Sequence, residues 1–235
     1  MLASLGWGAV AAVPLIMGAV LALVRSWSDR LVGTVLAFGA GALLASVSFE
    51  LAEEGVRSGG ALPVALGLAA GALAFFTADR ALERWGARHQ AHAAGLPLAL
   101  GALLDGVPEQ LVLGFGLASG AGVSVGLLVA IFLSNLPEAI GSSADMRGGG
   151  SSRKMVLTLW VTVAAVCALA TVLGYVLSTG MGPALTAGID GFAAGALLVM
   201  LSDSMIPEAR EKASDIAGLA TVVGFALAAG LSLLS

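Results

Sequence analysis

Eight times along its 235 residues the sequence passes through an apolar run bounded by polar breaks, and each run is about as long as the ~17–25 residues needed to cross hydrocarbon. The runs are Leu5–Val24, Leu31–Ala52, Leu62–Ala78, Leu96–Ala118, Val123–Gly141, Met155–Leu177, Ala184–Ile206 and Ile216–Leu234. Charged residues make up 11% of the chain, whereas a soluble domain carries roughly 25%. So few charges cannot clothe a water-facing surface, and most of the exterior must face lipid. A lipid-exposed segment has to satisfy its own backbone hydrogen bonds, so each run is expected to be a helix. The expectation is an all-α polytopic membrane protein: one transmembrane domain over residues 1–235, with eight transmembrane helices.

The cations orient it. Arg25, Arg30, Arg80, Arg84, Arg88, Arg147, Arg153, Lys154, Arg210 and Lys212 all fall in breaks that an eight-span chain places on one side, and Arg57 falls on the other. The positive-inside rule makes the crowded side cytoplasmic and leaves both termini outside, in a cell (inner) membrane protein. Trp27, Trp85 and Trp160 are expected near the cytoplasmic interface and Trp7 near the outer one. The first run has no basic residue ahead of it and exceeds a signal-peptide core, so it is expected to be a retained span. Net charge is −4 without a basic patch, which removes nucleic acid as a partner. Cys167 is the only cysteine and lies inside an apolar run, so neither a disulfide nor a cysteine-based metal site is expected.

Glycine is abundant, often at small-xxx-small spacing (Gly67/Gly71, Gly116/Gly120, Gly122/Gly126), which lets membrane helices approach closely. A repeat is more informative. Residues 37–55 and 191–209 align without gaps and share Phe38/Phe192, Ala40/Ala194, Gly41/Gly195, Ala42/Ala196, Leu43/Leu197, Leu44/Leu198, Ser48/Ser202 and Glu54/Glu208. These segments belong to spans 2 and 7, which cross in opposite directions. That is the pattern of an inverted repeat, common in carriers whose site lies at the midplane.

Ionisable groups within a membrane are costly and mark function by default. Span 4 contains Asp105-Gly106-Val107-Pro108-Glu109-Gln110, and span 5 contains Ser134-Asn135-Leu136-Pro137-Glu138-Ala139. In each, polar groups three or four residues apart share one helical face. Pro108 and Pro137 lack an N–H and crowd the carbonyls of Leu104 and Leu133, so each is expected to kink its helix and free a carbonyl beside a carboxylate. Asp105, Glu109 and Glu138 cannot all remain ionised in a dry bundle. Protons or a cation must compensate them, and a divalent ion would do so outright while displacing protons. Glu50, Glu53 and Glu54 at the outer end of span 2, with Asp203 and Glu208 around Pro207 at the cytoplasmic end of span 7, are expected to line the mouths of a pathway. His89 and His92, in a loop, are read as solvated.

These residues resemble the ZIP (Zrt/Irt-like) family of divalent metal transporters. That family has eight spans, termini outside, and Pro-Glu motifs in spans 4 and 5 (His-Asn-x-Pro-Glu-Gly and His/Gln-Glu/Asp-x-Pro-Glu-Gly). Its seventh-span Asp-Glu-x-Ile-Pro-Glu resembles Asp203-Ser204-Met205-Ile206-Pro207-Glu208. The resemblance implies a 3+2+3 arrangement with spans 1–3 repeated inverted as 6–8, and alternating access by one helix bundle moving against the other. The motifs diverge: Asp105 replaces the first His, Gly106 its neighbouring Asn, Ser134-Asn135 the fifth-span pair and Ser204 the seventh-span Glu. In members with two metals the second uses the positions of Gly106, Asn135 and Ser204, so one metal is expected here. Asp105, Glu109 and Glu138 are its expected ligands, with Asn135 or Ser134 assisting. Gln110 and Ser204 are expected along the pathway. With no His or Cys at the site, ligand hardness points to Mn²⁺, Mg²⁺ and, with less preference, Fe²⁺, whereas the resemblance points to Zn²⁺.

The leading expectation is therefore carriage of a zinc-, iron- or manganese-class ion toward the cytoplasm, with the metal as substrate, no organic cofactor and a homodimer as a candidate assembly. The competing readings are a transport-deficient metal or proton sensor or scaffold, prompted by the missing histidines, and a carrier for a small organic cation. An intramembrane hydrolase using Asp105 and Asp203 has no nucleophile motif behind it, so no enzyme activity is expected.

Overall fold

The computed structural model describes residues 1–89, 96–118 and 124–232, and for 83 and 85–100 no side chain is described. All regular structure among the described residues is helical: α1 (Leu2–Val24), α2 (Asp29–Ser46), α3 (Glu54–Gly59), α4 (Ala61–His89), α5 (Leu96–Ala118), α6 (Val125–Gly148), α7 (Arg153–Ser178), α8 (Pro183–Met200), α9 (Ile206–Ala213) and α10 (Ala217–Ser232). Serine hydroxyls start several of them. Ser28, Ser124 and Ser152 accept from the amides of Leu31, Leu127 and Met155, supplying partners that first-turn amides lack. The expected loop residue His92 and residues Gly120, Gly122 and Val123 lie outside the described residues.

Among the described residues six helical stretches are long and apolar enough to cross a membrane: Leu2–Val24, Asp29–Gly59, Ala61–Leu82, Val125–Gly148, Arg153–Ser178 and Pro183–Ser232. The count differs from the eight expected at two places. Helix α5 is not among the six, and the side chains of its first five residues, 96–100, lie outside the described ones. The last stretch, 50 residues long, reverses direction within itself. Gly55 lies against Ala187 and Asp190, and Gly33 against Lys212 and Ala213, so α8 and α9 run antiparallel to α2 and α3. Gly41 then meets Thr221 and Phe225 on α10, which runs back alongside α2. The reversal occurs at Ser214, whose φ of 54° breaks the helix.

Close glycine contacts build the helix pairs. On α4, Gly67 and Gly71 meet Gly188 and Phe192 of α8, and Gly195 meets Leu68 and Ala72, so these helices are parallel with backbones nearly touching. Gly41 and Gly224 bring α2 and α10 together in the same way. The two segments matched in sequence also share a distortion. A π-helical turn spans Val47–Glu53, and another spans Leu201–Met205. Val47 and Leu201 are aligned positions in the repeat.

Two apolar clusters result. One gathers α2, α8, α9 and α10 with Val112, Leu113 and Phe115 of α5 and Leu127, Ala130 and Ile131 of α6. The other gathers α1 and α7 with Ala102 of α5 and Ala139 and Met146 of α6. Helices α5 and α6 pass from one cluster to the other, and their polar stretches occupy the crossing. Trp160 belongs to the second cluster, fully buried. It is a packing residue, correcting its expected place in an interfacial belt: α1 and α6 cover the face of α7 that carries it. Trp27 fits a polar boundary better, its indole N–H donating to the Leu21 carbonyl and its ring lying 5.5 Å from the Arg25 guanidinium.

Candidate functional site

Pro108 and Pro137 both lie inside helices that continue past them. The side chains around them form the polar seam. Ser134 Oγ donates to Glu109 Oε1 at 3.0 Å, a buried hydrogen bond joining α5 to α6. Glu109 is 1% exposed, and its Oε2 has no hydrogen-bond partner. Asp105 and Glu138 are half-buried, so open space borders them. Glu138 lies within electrostatic range of Asp105, Glu109 and Glu208, and Glu109 within range of Asp105. Asn135 is buried with its Nδ2 unpartnered. Asp105, Glu109, Ser134 and Glu138 thus gather in one region. Among the described residues, no three His, Cys, Asp or Glu side chains are drawn tightly enough together to hold a metal ion.

Helix α7 supplies the wall that sequence reasoning left out. Gly106 faces the Cys167 sulfur, and Gln110 Oε1 accepts from Thr171 Oγ at 2.5 Å. Gly114 meets Thr171 and Tyr175, so α5 and α7 run parallel in register. Cys167 is therefore at the site, within electrostatic range of Glu109 and Glu138, contrary to the expectation that no cysteine lies there. The physical reason is Gly106: without a side chain it lets α7 approach and places Cys167 against it. Gln110 is fully buried, packed on α7 with its Nε2 unpartnered.

On α6 the carbonyl of Leu133, which Pro137 deprives of its usual partner, faces Gly39 of α2. A Cβ at Gly39 would lie 2.7 Å from that oxygen. The freed carbonyl is thus turned toward a close helix contact and not toward the carboxylates. Gly18 of α1 abuts Leu136 and Ala139 from the other side. Two glycines therefore clamp the polar stretch of α6.

The pathway residues separate into two groups. Glu50 is half-buried and accepts from Ser124 Oγ at 2.7 Å. Glu53 and Glu54 are exposed, with Glu54 3.5 Å from Arg57. Asp190 of α8, missed from sequence, lies within electrostatic range of Glu54. At the other end Ser204 is half-buried, whereas Asp203 is exposed on the π-helical turn and is not drawn to the seam. Glu208 is drawn there, within range of Asp105 and Glu138, and accepts from Lys212 Nζ at 2.6 Å. Asp79 of α4, read as the start of a loop, also lies within range of Asp105. An acidic residue near the end of an apolar run is ambiguous between a solvated end and a buried face, and only packing resolves it.

A cavity of about 250 Å³ opens beside this end, among Arg25, Trp27, Asp29, Gly141, Asp145, Arg147 and Lys212. Glu138, Gly141 and Asp145 lie at spacings of three and four on α6, hence on one face, which leads from the seam to the cavity.

Set against protein-family models and against curated proteins, the sequence matches none.

Proposed function

We propose that the chain is a carrier that moves a divalent metal ion toward the cytoplasm by alternating access, using the seam between α5 and α6 as its midplane site. The observation that carries this reading is Glu109: a carboxylate at membrane depth, held by Ser134 of the neighbouring helix, with one oxygen unpartnered and two further carboxylates within electrostatic range. Burying such groups costs several kcal/mol unless a partner compensates them, and a divalent cation is the partner that satisfies several oxygens at once. Asp105, Glu109 and Glu138 would supply charge, with Ser134 and Asn135 holding or completing the set. The carboxylates stand apart, so ion entry must draw α5 and α6 inward, and that movement is the physical link between binding and conformational change.

The eight-span, 3+2+3 architecture with inverted repeats is part of the proposal. The aligned π-helical turns, the antiparallel run of α8–α9 against α2–α3, and the reversal at Ser214 support it. Helix α7 packs against α1 and α5, α4 against α8, and α2 against both α10 and α6; in this reading these packed groups shift relative to one another as the site opens to either side. The distribution of basic residues supports a cytoplasmic Lys212 end in an inner-membrane protein. The resemblance to ZIP transporters supports a zinc-, iron- or manganese-class substrate.

The test is uptake of Zn²⁺, Fe²⁺ and Mn²⁺ into proteoliposomes. Glu109→Ala and Glu138→Ala should each abolish it while the protein still folds, and unchanged uptake in both ends the reading. The open spacing of the carboxylates favours one alternative, a metal sensor that does not transport. It would bind these ions tightly in purified form with no flux.

A further inference from the structure

We propose that Lys212 is a tethered cation that takes the place of the transported ion among the carboxylates during release, and so drives the ion out into the adjoining cavity. The proposal rests on the metal-carrier reading. Its geometry is local. Lys212 Nζ sits 2.6 Å from Glu208 Oε1, and that carboxylate is within electrostatic range of both Asp105 and Glu138. The ammonium occupies the space that a side chain at residue 141 would fill. A Cβ on Gly141 would lie 2.7 Å from Nζ and 3.7 Å from Glu208 Oε1. Gly141 follows Glu138 by one turn on the same face, and both Gly141 and Lys212 line the cavity. The lysine thus stands between the acidic seam and the opening.

The groups facing it from the neighbouring helices are Asp29, Asp145, Arg25 and Arg147 around the cavity. The lysine side chain is 21% exposed, partly in the cavity and partly among protein atoms. A mobile ammonium on a four-carbon stem is suited to this role, since it supplies charge without fixed bidentate geometry. When the ion leaves, a seam of three carboxylates would be left uncompensated. Lys212 offers a positive charge already in place, so the empty carrier can return. When an ion is bound, the same charge competes with it for the carboxylates and so weakens their hold on it.

The experiment measures equilibrium binding of Zn²⁺ and Mn²⁺ to purified protein and their uptake into proteoliposomes. Lys212→Met removes a competing charge, so binding should tighten and turnover should fall, each by about tenfold for a unit charge at this range. Lys212→Arg keeps the charge and should stay nearer the wild type in both. Gly141→Ala leaves the lysine but pushes its ammonium out toward the cavity, and should shift both readouts in the direction of Lys212→Met. It carries the test should Lys212→Met not fold. A Lys212→Met protein indistinguishable from wild type overturns the inference while leaving the carrier reading intact. So does one that binds more weakly and transports less, since that is the signature of a merely structural ion pair. A wild-type protein that neither binds nor moves either ion overturns both.

Discussion

Gly39→Ala tests whether the site depends on a close helix contact. The added Cβ would lie 2.7 Å from the Leu133 oxygen, 2.8 Å from its carbonyl carbon and 2.9 Å from the Ser134 nitrogen. Favourable non-bonded separations are ~3.5 Å, so α2 and α6 must part by more than about 0.5 Å. All three obstructing atoms are backbone, so no side-chain rotation relieves the overlap. Overpacking of this kind costs about 1–3 kcal/mol, set against a gain of up to ~1 kcal/mol from replacing glycine inside a helix. Gly218→Ala isolates that gain, because nothing lies within 4 Å of its added Cβ. The two variants should therefore differ in unfolding free energy by about 1–3 kcal/mol, with Gly39→Ala the less stable. Ser134 is one of the residues displaced, so metal uptake should fall with stability in Gly39→Ala and stay unchanged in Gly218→Ala. The assay is equilibrium unfolding in mixed micelles, alongside proteoliposome uptake. Equal stability of the two variants would refute the reasoning, because it would mean that α2 and α6 are not in backbone contact at the site.

Ser134→Ala removes the donor to Glu109 Oε1 and leaves both carboxylate oxygens without a partner. It should cost about 1–3 kcal/mol in the ion-free protein, and a saturating divalent ion should recover part of that loss in the same unfolding assay. Trp160→Ala, in the second apolar cluster, should cost about 3–5 kcal/mol, whereas an interfacial tryptophan would cost far less; thermal unfolding distinguishes them. In a Cys167→Ala background, single cysteines at exposed Ser26 and Ser58 should react with an impermeant thiol reagent from opposite faces, Ser26→Cys from the cytoplasm. Labelling of both from one face would remove the proposed sidedness.

Helical character was legible because hydropathy and length suffice for it, and apart from the cap residue Ser124 the described residues of the expected spans are helical. The span ends were less so. The run starting at Leu31 extends to Gly59 because glutamates and Arg57 are compatible with helix once a polar face is reached. Legibility at the site followed the same division. Asp105, Glu109 and Glu138 stand out in sequence because charge in an apolar run is conspicuous, and Ser134 and Asn135 because they are polar one turn before Glu138. Thr171 and Cys167 were not, because on α7 they are ordinary small residues whose importance comes from standing opposite Gln110 and Gly106. Lys212 was counted only toward topology, since nothing in a run of Arg, Glu and Lys marks which cation turns inward. Asp203 lies exposed on the π-helical turn, and exposure alone does not separate a pathway mouth from a solvated helix end.

Those π-helical turns have a mechanical meaning. A backbone that closes its rings five residues apart is wider and less evenly bonded than the helix on either side, and such turns recur where proteins work. Here the same weak link occurs at Val47–Glu53 and at Leu201–Met205, on strands of the bundle that travel in opposite senses. In the proposed carrier, bending at the first toward one face of the bilayer would be matched by bending at the second toward the other. A duplicated piece installed upside down would thus give the protein matched joints, one for each door.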